Sequence, residues 1–93
     1  MKKEERKTKQ DQYVDKMVDH LPTLRAAAKI TQNQLAKKLG VARSTMVIIE
    51  SRGRKLQWHM YLAMVLVFTQ NEDSRKLLKS FQIFNDDFLQ KIV

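Results

Sequence analysis

Residues 32–50, QNQLAKKLGVARSTMVIIE, constrain the fold more than any other stretch of this chain. Two short patterns of helical period stand on either side of one glycine, Gly40. Leu35, Ala36 and Leu39 share a face before it, and Met46 and Ile49 share a face after it, with Val41 between. Two helices joined so tightly cannot run side by side along their whole length. They must cross steeply, and the second is then held out from the body of the domain.

The flanking punctuation agrees. Thr31-Gln32-Asn33-Gln34 is a capping box, in which Thr31 and Gln34 satisfy each other's free backbone donors and open a helix. Gly40 suits the left-handed position that closes it. Pro22 interrupts an earlier helical spacing that runs through Tyr13, Met17 and Leu21. Leu24, Ala27 and Ala28 continue as a short helix to about residue 29. The third helix of this scheme runs from about 43 to 51, and an apolar fourth from about 57 to 70 should be the most buried. A further helix lies near 73–80, and Asn85-Asp86-Asp87 can cap a last one reaching Ile92. Two glycines, one proline and no sustained alternation of period two leave little for hairpins. The expected class is all-α, with about five helices plus a C-terminal helix in one small domain. Residues 1–11 read as a mixed-charge flexible tail or a frayed helix start, 12–80 as the domain, and 81–93 as the C-terminal helix.

Charge says more once it is located. The net charge is +8. Residues 20–58 hold eight basic side chains against Glu50 alone, net +7, while 1–19 are +1 and 59–93 are neutral. A surface charged only for solubility would spread the excess, so its concentration around the paired helices points to a polyanion, of which nucleic acid is the commonest. The chain has no cysteine, and His20 and His59 lack a metal-ligand spacing. Nor is there a clustered His and carboxylate set or a phosphate-cradling glycine loop, so neither an enzyme nor a cofactor is expected. The start MKKEERKTKQDQ lacks the apolar core of a signal peptide, and Met60 to Phe68 is about half the ~20 residues that span a bilayer. A cytoplasmic protein without a membrane partner is expected.

These residues resemble the Cro and phage-repressor type of helix-turn-helix domain, the xenobiotic-response-element-like (XRE-like) family with the lambda-repressor-like fold. The family pattern, roughly L-R…T-Q-x-x-L-A-x-x-x-G-V-S-x-x-T-[IV]-x-x-[IW]-E, is followed at Leu24-Arg25, Thr31-Gln32, Leu35-Ala36, Gly40-Val41, Thr45-Met46 (Met46 being apolar at the [IV] position) and Ile49-Glu50, with every spacing kept. The resemblance covers about residues 21–70. It implies a bacterial or phage regulator of transcription, expected to act as a repressor, with helix 43–51 in the major groove of double-stranded DNA. It implies that Arg43, Ser44 and Ile48 face base edges, that Gln32 holds a phosphate at a helix N-terminus, and that Arg25 and Glu50 form an internal salt bridge. The sequence departs from the pattern in three places: Ala42 stands where serine or threonine caps the second helix, Glu50-Ser51-Arg52-Gly53 is one residue longer than the usual E-x-G, and Val47 and Ile48 are both apolar where polar residues are common.

Each assignment has a competing reading. Arg43 can read guanine, hold phosphate or stay solvated. Ile48 can meet a thymine methyl or flank the core. Ser44 and Thr45 can contact phosphate or only favour a first helical turn. Arg52, Arg54 and Lys55, an acid-free run, suit phosphate. Phe81, Phe84, Phe88 and Ile92, at i, i+3, i+7 and i+11, either close the core or form a dimer interface. The family commonly binds two-fold symmetric operators as homodimers. The rival function is an antitoxin-like or anti-repressor module that uses the same fold to bind a protein, for which Val47 and Ile48 on the exposed helix are the support.

Overall fold

The first helix begins within residues 1–11, as a helix start there rather than a tail reaching residue 11, because Thr8 caps it. Thr8 Oγ1 accepts from the Asp11 N–H at 3.0 Å and the Asp11 carboxylate accepts from the Thr8 N–H at 3.3 Å. The computed structural model describes residues 8–84, and among these every regular element is an α-helix: α1 Lys9–Asp19, α2 Leu21–Ala28, α3 Gln32–Leu39, α4 Arg43–Glu50, α5 Trp58–Thr69 and α6 Glu72–Ser80. Pro22 does not kink one long helix. It sits in the first turn of α2, where its missing N–H leaves no bond unmade.

Four of these helices end in the same way. In α3, the Gly40 N–H donates to the Lys37 carbonyl and the Val41 N–H to that of Ala36, with Gly40 at φ 75. The same pair of bonds closes α2 around Lys29 (φ 61), α4 around Arg52 (φ 68) and α6 around Gln82 (φ 59). At α4 the left-handed position falls on Arg52, one residue before the glycine, so the longer Glu50-Ser51-Arg52-Gly53 segment closes without using Gly53 for that conformation.

The closure at Gln82 corrects the expectation of a helical stripe through Phe81 and Phe84. The chain leaves α6 at Phe81, turns at Gln82, and carries Ile83 and Phe84 back into the protein, where Phe84 is 4% exposed. Phe81 stacks on His20, ring centroids 3.8 Å apart. Both phenylalanines thus belong to the packing of one chain; Phe88 and Ile92 lie outside the described residues.

The core forms around α5, which buries Tyr61, Met64, Val65 and Phe68 and receives Met17, Leu24, Leu35, Met46, Ile49 and Leu78 from the helices around it. Its polar atoms are matched. The Tyr61 hydroxyl donates to the Ile83 carbonyl at 2.5 Å, and that of Ser74 to the Phe68 carbonyl at 2.6 Å, tying α6 and its exit to α5. Burial pushes the Tyr61 phenol well above its ordinary range, with Tyr13 adding to the shift. No helix among the described residues is long and apolar enough to cross a membrane.

Candidate nucleic-acid interface

Helices α3 and α4 meet through Leu35, Ala36, Met46 and Ile49, all buried. Ala36 is small at this junction, where a longer side chain would hold the helices apart. With Met46 and Ile49 turned inward, helical geometry turns Arg43, Ser44, Val47 and Ile48 outward, and all four are exposed. Val47 and Ile48 are each 42% exposed, large apolar side chains open to solvent on the segment that carries the charge. Thr45 is half-buried, its N–H donating to the Ala42 carbonyl in the first turn. Ala42 has the extended backbone of an N-cap but no side chain to fill that role.

A three-residue network fixes the far end of α4. Arg25 on α2 donates from Nε and Nη2 to the two oxygens of Glu50, and Gln32 Nε2 donates to Glu50 Oε1 at 3.2 Å. Gln32, at the start of α3, is therefore bound to the carboxylate that ends α4. In front of it lies an open cleft of about 580 Å³, lined by Arg25, Thr31, Gln32, Asn33 and Arg43. Arg43, without an ion pair among the described residues, and the N-terminus of α3 border this cleft and favour an anion, while the Arg25 guanidinium is already paired with Glu50. Asn33, absent from the sequence-based set, belongs to it.

The basic loop is less open than its sequence suggests. Arg52 is ion-paired with Asp19 of α1, and Lys55 Nζ lies 3.3 Å from the Asp11 carboxylate. The backbone N–H of Thr8, with Lys55 beside it, holds the Asp11 carboxyl below its ordinary range. Arg43 and Arg54 form no ion pair among the described residues. The acidic partners were missed because they are distant in sequence, although Asp11, Asp15 and Asp19 carry a readable signal of their own, a four-residue spacing on α1.

Away from this face, Leu66 is 64% exposed beside a shallow apolar groove that includes Ala28, Ile30 and Val67. No group of three or more metal-ligating side chains occurs among the described residues. Comparison of the chain with protein-family models, with curated proteins and with solved structures finds no match.

Proposed function

We propose that this chain is a sequence-specific DNA-binding regulator of transcription with a lambda-repressor-like helix-turn-helix fold, and that α4 enters the major groove. The observation that carries the reading is the outer face of α4. Arg43, Ser44, Val47 and Ile48 stand exposed on a helix whose opposite face is buried, inside the segment that holds +7 of the net charge. On this reading Arg43 contacts a guanine or a phosphate, and Ile48 with Val47 meets thymine methyls. The anion-favouring cleft beside Gln32 takes a backbone phosphate, and Arg54 takes another. Repression follows when such binding excludes the transcription machinery.

Binding as a homodimer to a two-fold symmetric operator belongs to the same proposal. Among the described residues Phe84 is buried, and the exposed apolar surface away from α4 that suits a second copy is Leu66 with its groove. One observation favours the rival reading, a protein-binding module of the antitoxin or anti-repressor kind: two adjacent aliphatic side chains stand exposed on α4. The charge weighs against it: Arg43 and Arg54 carry no ion pair among the described residues, inside a segment of net +7, and a surface that binds only protein has no need of such cations.

Titration of duplex binding against salt tests the proposal. If each protomer meets roughly four or five phosphates, log affinity for a dimer falls against log salt with a slope of about −7 to −9. A slope near zero, or no duplex binding at low salt, overturns the DNA reading and leaves the protein-binding one.

A further inference from the structure

Helix α1 presents Asp11, Asp15 and Asp19 at i, i+4 and i+8, along one edge. This edge faces residues 52–55. Arg52 pairs with Asp19 and Lys55 with Asp11, across 33 and 44 residues of sequence, and Asp15 lines the same cleft as Arg52, Arg54 and Lys55. The tertiary fold has thus brought an acidic edge onto the most basic loop of a basic protein.

The loop does not depend on these pairs for its shape. Its backbone is closed onto α4 by the N–H groups of Arg52 and Gly53, which donate to the carbonyls of Ile49 and Ile48, and Leu56 is buried at its far end. The paired side chains are largely exposed, where an ion pair adds little to stability. Their larger effect is on what the cations can still bind.

Resting on the DNA-binding reading, we propose that the aspartate edge of α1 is an autoinhibitory contact, an internal competitor that occupies Arg52 and Lys55 and lowers affinity for the DNA backbone. A phosphate that reaches either cation displaces a carboxylate already there. The displaced carboxylate stays close by and repels the duplex. The edge therefore sets a threshold that only a ligand with additional contacts, such as the correct base sequence under α4, overcomes.

The test uses the full chain and a mixed-sequence duplex at low salt, since phosphate contacts do not depend on sequence. Asp15→Asn with Asp19→Asn should tighten binding about three- to tenfold. Asp11 is left in place because it also caps α1. Glu72→Gln with Asp73→Asn makes the same change in net charge on α6 and should alter affinity less than about twofold. In an Arg52→Gln background the gain from the Asp15 and Asp19 changes should shrink. Circular dichroism melting checks that each variant folds. Unchanged or weaker binding by the aspartate variant, or an equal gain from the α6 control, overturns the inference alone. If neither wild type nor variant binds duplex, the DNA-binding reading fails and the inference falls with it.

Discussion

Arg25 and Glu50 meet as a fork on a carboxylate, Nε at 2.8 Å from one oxygen and Nη2 at 3.1 Å from the other. Their side chains are 19% and 9% exposed, so this pair is shielded far better than those of the basic loop. It joins α2 to the last residue of α4 and so fixes the angle at which the exposed helix leaves the core. A bidentate, partly buried pair resists replacement by lysine or by a single neutral partner.

Arg25→Met should therefore destabilise the fold by about 2–3 kcal/mol, because Glu50 keeps only its bond from Gln32 and stays largely buried. The double change Arg25→Met with Glu50→Met should cost less than Arg25→Met alone, since no unpaired charge remains. Urea unfolding of the cycle decides it. Equal losses would mean that the pair is exposed in solution.

Phe84 and Leu66 should respond in opposite ways. Phe84→Ala empties a core position and should cost about 3–5 kcal/mol, and Phe84→Asp should unfold the chain. Leu66→Lys should change stability by no more than about 0.5 kcal/mol and still yield a monomer if Leu66 forms the contact between copies. Sedimentation together with circular dichroism separates the outcomes. A folded, monomeric Phe84→Asp variant would return Phe84 to an interface.

Alkaline pH should destabilise the protein through Tyr61. Its phenol is raised in the folded state, so the unfolded chain loses this proton first, near its ordinary value of 10.0. Stability should be unaffected by this group below that value and fall as pH rises above it. Chemical denaturation across the alkaline range in a Tyr13→Phe background measures the effect. Tyr61→Phe should remove the pH term and cost about 1–3 kcal/mol by leaving the Ile83 carbonyl unpaired.

Base reading and phosphate holding should separate at Arg43 and Arg54. On the preferred site Arg43→Ala should cost about 1–3 kcal/mol and relax preference at one base pair. Arg54→Ala should weaken all sequences alike and flatten the salt slope by about one unit. Binding to a panel of single-base variants distinguishes the two. Sequence-blind losses for both would remove Arg43 from the reading role.

The two helices around Gly40, the Thr31 cap and the buried Leu35, Ala36, Met46 and Ile49 were legible in the sequence. Each rests on interactions within about five residues, and periodicity and turn chemistry report those directly. The same local logic, applied to Thr8 and Asp11, would have placed the start of α1. The length of the apolar run likewise marked α5 as the centre of the core.

The rest was decided by contacts between distant residues. Phe81 and Phe84 keep a helical spacing on paper, yet the turn at Gln82 breaks it, because ending α6 there lets Ile83 and Phe84 enter the core and the Ile83 carbonyl meet Tyr61. That gain outweighs the modest strain of a left-handed glutamine. Arg52 and Lys55 read as free cations, since no acid lies near them in sequence, and folding set Asp19 and Asp11 against them. Local pattern determined which segments are helices and which of their faces are apolar. Only tertiary structure decided which charges remain available to a partner, because a charge is neutralised by what is near it in space.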